Sequence, residues 1–239
     1  MGKQRTAQTE LGTQRSLLSR IRGGVASWRC PTGLHVAFLG ADGSGKSSVI
    51  REIAGHPGGV FSSTEVAHLA PMLFRRRRIF DATDPHGQPA RSLPVSIAKA
   101  LWWLFDYTAG YYVKVWPALV GSRLVLYDRY MVDVLVDPKR YRYGGPSWLP
   151  RLIWRVVPKP DLVIVLDAPA RVLRARKQEI TLDETERQQS AYCALAAGMR
   201  NGRVVDASKP LPEVIDDVRA VLVEFLAARA TKRPFSAAT

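Results

Sequence analysis

Residues 40–47 read Gly40-Ala41-Asp42-Gly43-Ser44-Gly45-Lys46-Ser47 and fit the pattern G-x-x-x-x-G-K-[ST]. Three glycines let the main chain turn tightly and approach phosphate oxygens with no Cβ in the way. Successive N–H groups in such a loop make an anion nest, and the helix behind it adds its partial positive end. Lys46 is then placed for the β- and γ-phosphates and the Ser47 hydroxyl for Mg²⁺, so Gly40 through Ser48 form the expected ATP-binding segment. At average residue usage a chance match in a chain this long has odds on the order of 1%. An apolar run before the loop and a helical pattern after it supply the context this chemistry needs.

A second candidate is Asp128-Arg129-Tyr130, directly after the apolar run Leu124–Tyr127. In an open α/β sheet the carboxyl ends of strands face the ligand crevice. An aspartate there can hold Mg²⁺ or its water. An arginine beside it can clamp an anionic acceptor through two hydrogen bonds.

Such residues need a scaffold. Short runs rich in Val, Ile and Leu, at Leu34–Leu39, Glu65–Leu69, Leu124–Tyr127, Leu162–Leu166 and Arg203–Val205, alternate with helical patterns. That alternation predicts an α/β fold of the P-loop NTPase type, a parallel sheet of about five strands flanked by helices. Helices are expected at Ser47–Ile53, after Pro169, and from Pro212 to Ala228. Residues 81–95 and 138–150 read as loops. The segment Ser96–Gly121 is apolar, but Lys99, Asp106 and Lys114 interrupt it. It falls short of the ~18 uninterrupted residues a spanning helix needs and reads as a buried helix of a soluble fold. The expected organisation is a basic, flexible extension at 1–33, with a short amphipathic stretch at Ser16–Ile21, a domain at 34–229 and a frayed tail at 230–239. Arg75–Arg78 reads as a solvated run, with a place over phosphates as the alternative.

Composition narrows the partners. The chain has 239 residues, 46% of them hydrophobic and 23% charged, which suits one globular domain. Its two cysteines, Cys30 and Cys193, form no framework, which suits a reducing cytoplasm. A net charge of +14 calls for an anionic partner. Nucleic acid is disfavoured, because the arginines are scattered and no nucleic-acid module is recognisable. A homodimer and a peripheral contact with an anionic membrane surface stay open.

Ordered pieces between residues 34 and 229 resemble the thymidylate kinase-like group of nucleoside monophosphate kinases. They are DGSGKSS at 42–48, PALVGSRLVLYDRY at 117–130, LVIVLDAPARVLRARK at 162–177 with ETERQQSAY up to Tyr192, and VVDAS at 204–208. The segment DPKRYRYGGP also resembles a divergent bacterial subgroup of that family. The resemblance implies a lid at about 171–192 and transfer of the ATP γ-phosphate to a monophosphate acceptor with Mg²⁺. It implies Asp42 near the acceptor sugar, Asp128 near Mg²⁺, Arg129 on the acceptor phosphate, and the loop Asp206–Ser208 beside adenine. Tyr107 stands where the family commonly has a base-reading arginine, and Tyr130 follows Arg129, so both are expected at the acceptor. The phosphate loop carries no arginine, so the resemblance makes Arg176 and Arg187 of the lid the expected catalytic cations.

Several departures touch acceptor recognition. Tyr107 replaces the arginine, MVDVLVDPKRYRYGGP replaces the family's stretch after DRY, and the Arg-Glu-Pro turn appears only as His68-Leu69-Ala70-Pro71. They predict that dTMP is a poor acceptor. A kinase for another small phosphorylated acceptor, such as a sugar or lipid-linked phosphate, keeps every phosphate-site feature. A noncatalytic nucleotide-dependent regulatory protein is the rival from another class. A signalling GTPase would need an Asn-Lys-x-Asp motif, which is absent. Asp128 is followed by Arg and Asp167 by Ala, leaving no glutamate to activate water for hydrolysis.

Overall fold

The computed structural model describes residues 28–71, 73, 88–177 and 180–232. Most of the basic extension, with Ser16–Ile21, lies outside the described residues, as do Arg75–Arg78, residues 81–87 and the tail from 233.

Five parallel strands form one sheet in the order β2-β3-β1-β4-β5. They are β1 Leu34–Leu39, β2 Thr64–His68, β3 Leu124–Asp128, β4 Leu162–Asp167 and β5 Gly202–Asp206. The three central strands are buried nearly end to end, because helices cover both faces of a parallel sheet and leave no solvent side. The edge strands β2 and β5 alternate with exposed positions. Helix α1, Lys46–Gly55, packs against α8, Leu211–Lys232. Helix α2, Leu93–Gly110, passes through a π-turn at Tyr111–Val115 into α3, Trp116–Val120. A short α4, Asp133–Val136, precedes α5, Trp148–Val156, which packs on α2. Helices α6, Ala170–Arg176, and α7, Leu182–Ala197, follow β4.

Several boundaries differ from expectation. Helix α2 begins at Leu93 inside the expected loop, with Pro94 in its first turn where a missing N–H costs nothing. The run 96–121 is amphipathic rather than buried: Ala100, Trp103 and Tyr107 face inward while Leu101, Trp102, Phe105 and Tyr112 are exposed. No helix among the described residues is long and apolar enough to cross a membrane. Helix α5 starts at Trp148, within the expected 138–150 loop. The last helix continues to Lys232. Ahead of β1, Arg229 of α8 donates to the carbonyls of Gly33 (2.8 Å) and Pro31 (2.5 Å), tying this stretch to the domain.

The imidazole of His35 is buried without a hydrogen-bond partner. His35 of β1 is 1% exposed, with both ring nitrogens unbonded, among the rings of Tyr111, Tyr127 and Tyr130. Burial lowers its pKa to about 3, so the ring is neutral.

Candidate active site

Three strand ends make the floor of the crevice. The register sets Phe38, Asp128 and His68 in one row across β1, β3 and β2. The chain leaving β1 enters the phosphate loop, and the chain leaving β3 enters Arg129. Gly40 and Gly43 have φ of 139° and 82°, which a side chain rarely allows. A Cβ on Gly43 would stand 2.5 Å from the Leu173 carbonyl oxygen of α6, so only glycine lets the loop pass beneath that helix. Gly45, at φ 84°, turns the chain into α1.

Lys46 is buried, and its Nζ donates to the carbonyls of Gly40 and Ala41, both at 2.8 Å, and to Ser44 Oγ at 3.2 Å. Burial, followed by the charge of Arg129, lowers its pKa to about 7. Ser47 Oγ donates to Asp128 Oδ2 at 2.9 Å. Burial raises the pKa of Asp128, but the His68 hydrogen bond and the charges on Lys46 and Arg129 outweigh it and hold the carboxyl at about 2. Asp128 Oδ1 is buried and has no hydrogen-bond partner. An orphaned carboxylate oxygen beside a hydroxyl is a hard-oxygen donor set that suits Mg²⁺, which takes one or two protein ligands and completes its shell with water and phosphate. No cluster of three or more acidic, His or Cys ligands occurs among the described residues, which sets this site apart from an all-protein metal cage.

Arg129 has a left-handed backbone, φ 72°, uncommon outside glycine and held here by its N–H donating to the Phe38 carbonyl at 2.9 Å. Its Nη2 donates to Asp42 Oδ1 (2.5 Å) and its Nη1 to Asp133 Oδ2 (2.9 Å). Asp133 is fully buried and also accepts from the hydroxyls of Tyr141 and Tyr192, each at 2.5 Å. Burial and then the Asp133 charge push both tyrosine pKa values well up, so both stay donors. Burial opposes the Arg129 charge, but Asp133 outweighs it and keeps the guanidinium cationic. A second arginine, Arg140, also pairs with Asp42 and is held by Asp137.

The structure thus brings Asp42, Lys46, Ser47, Asp128 and Arg129 together. Other expected residues lie elsewhere. Tyr107 is completely buried and its hydroxyl donates to the Leu69 carbonyl. Tyr130 is 2% exposed and bonds the Pro158 carbonyl at 2.8 Å. Their rings stack edge to face with a centroid separation of 4.8 Å, and both side chains are packed into the interior rather than exposed in the crevice. Arg176 donates to the Ala207 carbonyl at 2.7 Å, beside a cavity of about 250 Å³ lined by Ser44, Gly45, Ser48, Arg176, Ala207 and Lys209. Arg187 pairs with Glu184 at 2.7 Å and donates to the Val136 carbonyl at 2.8 Å.

Sequence reading missed Asp133, Asp137 and Arg140. A signal was present: Arg129 and Asp133 stand four apart, Asp137 and Arg140 three apart, in a segment dense in charge.

No protein-family model matches the chain. Individual relatives do. A thymidylate kinase of Cereibacter sphaeroides is 30% identical over 226 residues, covering 82% of this chain and 96% of the relative. A thymidylate kinase of Leuconostoc citreum is 26% identical over 218 residues, covering 82% and 97%. A probable thymidylate kinase of Pyrobaculum calidifontis is 27% identical over 207 residues, covering 81% and 98%.

Proposed function

The chain belongs to the thymidylate kinase family of P-loop kinases, and from that premise we propose that it moves the γ-phosphate of ATP to a nucleoside monophosphate other than dTMP, with Mg²⁺. The convergence of Lys46, the Ser47–Asp128 pair and Arg129 on one crevice carries this reading.

Each residue has a task in such a transfer. The phosphate loop and Lys46 hold the donor phosphates, and Arg176 with the Ala207 loop flanks the cavity that suits the nucleoside end of ATP. Ser47 and Asp128 would hold Mg²⁺, whose charge would offset that of the donor phosphates during transfer. Arg129, fixed from behind by Asp133, orients the acceptor phosphate. An acceptor phosphate oxygen then bonds to the γ-phosphorus as the bond from that phosphorus to the ADP oxygen breaks. A phosphate monoester has its second pKa near 6 and is largely dianionic at neutral pH, so no general base is required. The two helices and their link at 171–192 would act as the lid that excludes water.

The choice against dTMP rests on Tyr107, buried where the base-reading arginine is commonly found, and on the divergent segment after Tyr130. Purified protein incubated with ATP, Mg²⁺ and a panel of nucleoside monophosphates and sugar phosphates tests the reading by ADP release. At least one nucleoside monophosphate is expected to release ADP well above the acceptor-free rate, and dTMP to fall below a kcat/KM of about 10⁴ M⁻¹s⁻¹. Release with sugar phosphates alone would move the protein to the rival kinase reading.

A further inference from the structure

Two guanidinium groups meet on one carboxylate of the phosphate loop. Arg129 Nη2 reaches Asp42 Oδ1, and Arg140 Nη2 reaches Asp42 Oδ2. Arg129 comes from the end of β3, whereas Arg140 comes from the link between α4 and α5. Each is held from behind by its own buried aspartate. Asp133, 0% exposed, takes Arg129 Nη1 at 2.9 Å. Asp137, 1% exposed, takes Arg140 Nε at 3.2 Å and its main-chain N–H at 3.1 Å.

Asp42 is therefore the one carboxylate that both guanidiniums share, where the phosphate loop meets the crevice, while Asp133 and Asp137 each back a single arginine. Two planar forks fixed in this way match an anion with several oxygens and a double charge. A phosphate monoester meets that demand, whereas a neutral hydroxyl leaves both forks on Asp42. Arg140 is the more open of the two, with 18% of its side chain exposed against 8% for Arg129.

We propose that Arg140 is a second clamp on the phosphate of the acceptor, acting with Arg129, and that Asp42 holds both guanidiniums in place until that phosphate takes its position between them. This inference rests on the phosphotransfer reading above, but its test requires no turnover.

Adenosine 5′-pentaphosphate carries its chain past the γ-position and places extra phosphate where an acceptor phosphate would lie. Its affinity and that of ATP are measured calorimetrically with Mg²⁺ for the wild type, Arg140→Ala and Arg140→Lys. The wild type should bind the pentaphosphate at least tenfold more tightly than ATP. Arg140→Ala should lower that ratio about tenfold while ATP affinity stays within about twofold, the size of one lost charge-assisted contact. Arg140→Lys keeps a cation for Asp42 and Asp137 but not the fork. It should lower the ratio less, and it serves as the test if the alanine variant fails to fold. A wild type with no preference, a ratio unchanged in both variants, or parallel loss of ATP and pentaphosphate would each overturn the clamp. A protein with the expected ratios and no kinase activity would instead defeat the phosphotransfer reading and leave the clamp standing.

Discussion

Ser47 Oγ donates to Asp128 Oδ2 at 2.9 Å, joining the first turn of α1 to the end of β3 across 81 residues of chain. The second oxygen of the same carboxylate is buried without a partner. A Mg²⁺ site there would use both residues, which makes metal dependence the first observable. Ser47→Ala and Asp128→Asn should each raise the Mg²⁺ concentration needed for half-maximal activity. Asp128→Asn should also lower kcat by about 10²-fold. A Mg²⁺ titration of initial rates checks this, and unchanged curves in both variants would remove the pair from metal binding.

Lys46 behaves unlike an ordinary lysine. Burial and the Arg129 charge lower its pKa from 10.5 to about 7. Between those values the unfolded chain holds a proton that the folded protein has released, so its contribution to stability rises with pH across that window. Phosphate oxygens favour the charged form. Binding of ATP at pH 8 should therefore take up a fraction of a proton approaching one, and binding at pH 6 should take up almost none at Lys46. Calorimetry in buffers of different ionisation enthalpy reads this directly. The uptake at pH 8 should vanish in Lys46→Met.

The two arginines of the proposed lid, Arg176 and Arg187, separate by their contacts. Arg176 is bonded to Ala207 at the cavity beside the loop, whereas Arg187 is paired with Glu184 and bonded to Val136 near Asp137. Arg176→Ala should weaken ATP binding about tenfold. Arg187→Ala should leave ATP affinity nearly unchanged and lower kcat, the pattern of a contact made mainly in the transition state. Nucleotide titrations together with single-turnover rates distinguish them. The opposite assignment would return Arg176 to the transferring phosphate.

His35 sets an acid limit on the fold. Its pKa falls from 6.5 to about 3 through burial, so below pH 6.5 the unfolded chain gains a proton that the folded protein refuses. Stability should decline from pH 6.5 towards pH 3, by about 2 kcal/mol at pH 5 from this group alone. His35→Leu should flatten that part of the profile in urea unfolding measured between pH 5 and 7. An equal slope in both proteins would place the acid sensitivity elsewhere.

Sequence reading reached the phosphate loop and all five strands because both rest on local patterns. Glycine spacing forces the loop, and near-continuous apolar runs mark the central strands, which are buried on both faces. It placed Asp128 and Arg129 in the crevice because a strand end must face it. The helices around the acceptor were less legible. Helix α5 carries two arginines and a proline within nine residues, and helix α2 opens on Leu93-Pro94, so breaker residues masked both starts. The roles of Tyr107 and Tyr130 hinged on which way a ring turns, and only packing decides that. Asp133 and Asp137 were not singled out from the sequence, because only their burial in the fold sets them behind two arginines.

The proposed reaction is transfer of the terminal phosphate of ATP to a nucleoside monophosphate. Its most direct measurement is label from γ-³²P-ATP recovered in a nucleoside diphosphate, with the full panel of monophosphates, for the wild type and Lys46→Ala side by side. Labelled diphosphate is expected from at least one nucleoside monophosphate, with little from dTMP and none in the Lys46 variant. Label appearing only as inorganic phosphate, or only in a sugar phosphate product, would contradict it.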